Sequence, residues 1–104
     1  MTTKKLKDAT DRFFHDLLGR ESLAKTLVAI RITDEYSLTS FAKKLGISKQ
    51  TLCDVEKGRT LVSPERARRF AKKLGYSEKV FVTLAVQDLL AKSGMNYRVE
   101  LEAA

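Results

Sequence analysis

Apolar positions recur at helical spacing through most of the chain, and the breaks between runs carry serine in front and glycine behind. Over Leu38 to Leu45, Leu38, Phe41, Ala42 and Leu45 share one stripe, with Thr39, Ser40, Lys43 and Lys44 opposite. Ser37 stands where an N-cap belongs, and Gly46 stands where a left-handed residue ends a helix without a Cβ penalty. Ile47 supplies an apolar plug in the turn and Ser48 caps a second predicted helix, Lys49 to Lys57, closed by Gly58. At about 100° per residue, Leu52 and Val55 face inward while Lys49, Gln50, Cys53, Asp54 and Lys57 spread over a wide outer face.

The same reading places further helices around this pair. Ser22 caps a helix from Leu23 to about Asp34, with Leu23, Leu27 and Ile30 inward and Lys25 and Arg31 toward solvent or a phosphate. Ser63-Pro64 starts a helix that runs to Leu74 and stops at Gly75, with Ala67, Phe70, Ala71 and Leu74 inside and Arg66, Arg68, Arg69, Lys72 and Lys73 outside. Ser77 opens a last helix, Glu78 to about Ser93, ended by Gly94. There Phe81, Leu84 and Ala85 suffice for the core, and Val82, Val86, Leu89 and Leu90 form a second apolar stripe. A second stripe left in water is a liability, so it reads as an interface, most simply that of a symmetric dimer.

Both ends of the chain add an element. Lys4 to Leu18 has Leu6, Ala9, Phe13 and Leu17 on one stripe and reads as an extra N-terminal helix, in which His15 is a structural residue. Asn96 to Glu102 alternates, with Tyr97, Val99 and Leu101 on one side and Arg98 and Glu100 on the other, which predicts a short strand. A lone strand needs an edge to pair with, either its own copy across a dimer axis or another protein's sheet; otherwise the segment is a frayed tail.

The 104 residues fit one domain. A single cysteine and a single histidine exclude an internal disulfide and make no metal site, so neither a metal nor a cofactor is expected. No apolar run approaches the roughly 20 residues that span a bilayer, and MTTKKLKDAT lacks a signal-peptide core, so the expectation is a cytoplasmic chain with no membrane partner. There is no Gly-rich phosphate loop and no paired nucleophile and base, so no enzyme is expected. Aromatics at core spacing speak against an RNA-stacking platform. The net charge of +7 matters for its place: Lys43 to Lys79 holds eleven cations against four anions. That surplus overlies the paired helices, as a footprint for a polyanion requires; a solvated basic face without a partner is the other reading.

FAKKLGISKQTLCDVEKG is similar to the Cro/C1-type (XRE) helix-turn-helix family, with Ala42, Gly46, Ser48, Leu52, Val55, Glu56 and Gly58 in the places its pattern specifies. The similarity covers about Leu23 to Leu84. Two positions depart: Leu38 stands where many members carry Gln, and Asp54 puts a carboxylate on the outer face, to accept from a cytosine amino group or pair with Lys57. The resemblance implies an all-α, five-helix, lambda-repressor-like domain with its helix-turn-helix core over 22–75, to which 77–104 adds a dimerisation helix and the short C-terminal strand. It also implies a transcriptional regulator that binds double-stranded DNA. Lys49, Gln50 and Cys53, with Asp54, become candidates for base contact. Ser37, Thr39, Lys43, Ser48, Lys57, Arg59 and Thr60 become candidates for phosphate. The dimer surface is assigned to Val82, Val86, Leu89, Leu90, Tyr97, Val99 and Leu101. Small regulators of this kind also serve as antitoxins that bind a partner toxin, which is the alternative function.

Overall fold

Five helices follow one another in the computed structural model, which describes residues 22–104: α1 Leu23–Thr33, α2 Leu38–Leu45, α3 Lys49–Glu56, α4 Pro64–Leu74 and α5 Glu78–Lys92. The extra helix expected over 4–18, with His15, lies outside the described residues. Each of the five begins at a serine. Ser22, Ser37, Ser48, Ser63 and Ser77 are extended at their backbones and accept from the N–H groups of Lys25, Ser40, Thr51, Arg66 and Val80. One otherwise unpaired amide per helix is thereby satisfied, a contribution of about 1 kcal/mol each.

The helix ends fall into two kinds. Gly46 (φ 75°) ends α2, with Gly46 N–H donating to Lys43 O and Ile47 N–H to Ala42 O. Gly75 ends α4 in the same double-bonded way. At α1 no glycine is present: Glu35 takes φ 58° instead, and Tyr36 N–H donates back to Arg31 O at 2.9 Å. A side chain in the left-handed region is strained, and Tyr36 gains a half-buried place with its ring centroid 5.3 Å from that of Phe41.

The core is the sum of the inner stripes. Leu23, Leu27 and Ile30 of α1 meet Phe41, Ala42 and Leu45 of α2, Leu52 and Val55 of α3, Ala67, Phe70 and Ala71 of α4, and Phe81, Leu84 and Ala85 of α5. Val62 from the loop between α3 and α4 joins them. Leu38 and Leu74, expected inside, are only half-buried at its edge. The longest packing is that of α4 on α5; α2 contacts both α3 and α4, and α1 bridges α3 and α5.

Side chains distant in sequence fasten this arrangement. Asp88 of α5 accepts from Leu23 N–H at 2.9 Å, adding a second cap at the start of α1 from 65 residues away. Arg31 was expected to face solvent or a phosphate. It turns instead onto Glu56, with Nε to Oε2 at 2.7 Å and Nη2 to Oε1 at 3.0 Å. That two-pronged hydrogen bond with Glu56 raises the guanidinium pKa against the opposing effect of burial, so Arg31 stays charged at any working pH.

The strand expected over Asn96 to Glu102 does not form; among the described residues there is no strand. With no neighbouring edge, the segment takes its backbone partners from a side chain. Gln87 of α5 donates through Nε2 to Tyr97 O and accepts at Oε1 from Val99 N–H at 2.8 Å. A carboxamide thus occupies the place a neighbouring strand's peptide would take. The alternating pattern marks a segment with one face docked: Val99 and Leu101 are half-buried and Tyr97 is exposed.

Candidate nucleic-acid interface

The outer face of α3 is held at a fixed height by what lies beneath it. Leu52 and Val55 are buried, Ile47 plugs the preceding turn, and Arg31 grips Glu56 at the far end. Lys73 of α4 adds a contact that sequence spacing does not reveal: its Nζ donates to Leu45 O at 3.1 Å, tying the end of α2 to α4 beside the turn. A Cβ at Gly46 would displace only that ammonium, the movable end of a long side chain, so the need for glycine there comes from its positive φ.

On this base the structure brings the candidate base readers together. Lys49 and Gln50 are exposed on the first turn of α3, and Cys53 and Asp54 are half-exposed one turn on. Asp54 does not pair with Lys57, one of the two roles its place on the helix allows. Its Oδ1 accepts from Gln50 Nε2 at 3.1 Å and from Arg59 Nη1 at 3.4 Å. Lys57 is instead the exposed cap just past the end of the helix, its N–H bonded to Cys53 O. Cys53 is a free thiol.

The candidates for phosphate lie on α2, at the start of α3 and just after it. Ser37 and Thr39 lie at the start of α2 and Lys43 in its last turn; Ser48 opens α3; Arg59 and Thr60 follow it. All are exposed. The hydroxyls of Ser37 and Ser48 already donate to Ser40 Oγ and Thr51 Oγ1 at 2.9 and 2.8 Å while accepting the capping amide. What they offer an anion is therefore chiefly the free N–H groups of the helix starts they cap. Arg59 and Thr60 are placed by their own amides, which donate to Asp54 O at 2.8 and 3.4 Å.

A polar helix on an apolar footing, entered through a capped tight turn from a partner helix of equal length, with exposed cations on both helices, defines a helix-turn-helix unit. A family model described as Helix-turn-helix matches residues 27–81, more than half of the chain. The chain belongs to this family, of the Cro/C1 type, and is a DNA-binding transcription regulator. Among curated proteins and among solved structures nothing matches it. Among the described residues no helix is long and apolar enough to cross a membrane, and no cluster of His, Cys, Asp and Glu is placed to hold a metal ion.

Proposed function

We infer that the chain is a repressor: a homodimer that sets α3 of each copy into successive major grooves of a nearly palindromic operator and covers promoter DNA by doing so. The observation that carries this reading is the outer face of α3, where Lys49 and Gln50 are exposed, with the candidate phosphate contacts at its start and just after it. Half-sites about 34 Å apart follow from one helical turn of DNA. Lys49, Gln50 and Cys53 take base edges in this reading. Ser37, Thr39, Lys43, Ser48, Lys57, Arg59 and Thr60 take the backbone on either side. Gln50→Ala is expected to cost about 1–3 kcal/mol of discrimination at one base pair and to leave nonspecific binding nearly intact. Competition titrations with single-base variants of the selected duplex read this directly, and an unchanged preference at every position would remove Gln50 from the reading set.

The dimer surface falls to α5 and the tail. Leu89 is 41% and Tyr97 67% exposed, while Val82, Val86, Leu90, Val99 and Leu101 remain half-exposed, an apolar surface that a second copy would cover. Leu89→Glu is expected to turn the dimer into a monomer in sedimentation velocity; a dimer that persists would move the interface elsewhere. The same surface supports the second reading, an antitoxin that sequesters a toxin and regulates its own operon. A small ribonuclease-like reading frame beside this one, whose product co-purifies with the chain, separates that reading from a plain repressor.

A further inference from the structure

Gln50 and Asp54 stand one turn apart on α3, and chemistry fixes the direction of the hydrogen bond between them. A carboxylate only accepts, so of the two ends of a glutamine amide only Nε2 can face it. Nε2 does so here, at 3.1 Å from Asp54 Oδ1. From the other side Arg59 Nη1 approaches the same oxygen at 3.4 Å, and the amides of Arg59 and Thr60 bond to Asp54's own carbonyl. The Asp54 backbone is thereby tied to the loop, and its carboxylate meets Gln50 on the helix and Arg59 on the loop.

We propose that Asp54 is a positioning residue that determines which base Gln50 reads, and that the base is adenine. This rests on the assignment of α3 as the base-reading helix. With one Nε2 hydrogen committed to Asp54, Gln50 turns Oε1 outward as an acceptor and keeps its second Nε2 hydrogen as a donor. Adenine shows N6–H as donor and N7 as acceptor in the major groove and satisfies both. Guanine shows two acceptors at O6 and N7, one of which would oppose Oε1; cytosine offers a donor alone and thymine an acceptor beside a methyl group. An asparagine at 54 would remove the constraint, because its amide donates as readily as it accepts. Gln50 could then reverse and present both Nε2 hydrogens to guanine.

The test uses the full chain and duplexes enriched from a random library. The base pair read by Gln50 is the one whose identity Gln50→Ala no longer distinguishes, and relative affinities are measured for the four duplexes that differ there. The unaltered chain is expected to favour adenine over guanine on the order of tenfold, and Asp54→Asn to bring the two within about twofold. Arg59→Ala is expected to weaken all four duplexes alike and keep the adenine preference, since the carboxylate still orients Gln50. Retention of the preference in Asp54→Asn overturns the proposal. So does loss of discrimination at a different base pair, which would make Asp54 a reader in its own right, or a preference of the unaltered chain for another base. If Gln50→Ala changes nothing while the chain still enriches a site, this inference fails and the assignment of α3 to DNA stands. A chain that enriches no sequence takes both down together.

Discussion

Phe41→Ala is expected to remove about 3–5 kcal/mol of folding stability, the range for emptying a fully buried aromatic site. Phe41 is 0% exposed and belongs to the set that joins α1, α2, α3 and α4 in one core, with Tyr36 against its ring. A domain of this size has about 5–15 kcal/mol in all, so the variant should be largely unfolded well below the melting temperature of the parent. Urea unfolding followed by circular dichroism measures this. A shift equivalent to less than about 1 kcal/mol would mean that Phe41 is not where the packing places it.

Glu56→Ala is the second large effect, about 2–4 kcal/mol. The Arg31–Glu56 pair is mostly shielded, with side-chain exposures of 20% and 10%, so removing one partner leaves a desolvated guanidinium without its two acceptors. The cost exceeds that of losing an exposed pair such as Arg68–Glu78, 3.8 Å apart at the surface, which contributes little. Removing both charges together by Arg31→Met with Glu56→Met is expected to recover most of the loss, since no orphaned charge remains. A double variant as unstable as Glu56→Ala alone would show that the defect comes from lost shape. Because this pair fastens the far end of α3 to α1, the single variant should also weaken DNA binding at temperatures where it is still folded.

The parts of the fold that depend on a few adjacent residues were legible in the sequence. Serine at each of the five helix starts, glycine after α2 and α4, and the inner stripes of the helices follow from spacing and local hydrogen bonding, and the structure has them in those places apart from Leu38 and Leu74, which sit at the edge of the core. The ends of α1, α3 and α5 differ by one residue, where the last residue counted as helical is a cap. Interactions that reach across the fold were not legible. Arg31 lies 25 residues from Glu56, Lys73 lies 28 from Leu45 and Asp88 lies 65 from Leu23, and no periodicity within one helix predicts a partner in another. Glu35 in a glycine-like conformation left no signal either, since its strain is supported by packing elsewhere.

The tail is the instructive error. Alternation at Tyr97, Val99 and Leu101 reports a backbone with two unlike sides, and a strand is the commonest cause of that pattern. Gln87 provides another cause, by bonding the Tyr97 carbonyl and the Val99 amide. Within the candidate site, the outer face of α3 was legible because helical geometry alone sets it. The partner of Asp54 was not, since Gln50, Lys57 and Arg59 all lie within its reach and only the folded loop selects among them.

The central claim is that α3 is the element that meets the bases. It is tested most directly by titrating the isotopically labelled full chain with a short duplex it has enriched and following each backbone amide by NMR. The account predicts the largest changes at residues 48–54, with Arg59 and Thr60 and the start of α2 beside them, and small changes along α5. Large changes confined to α5 and the tail, with residues 48–54 unmoved at saturation, would contradict it.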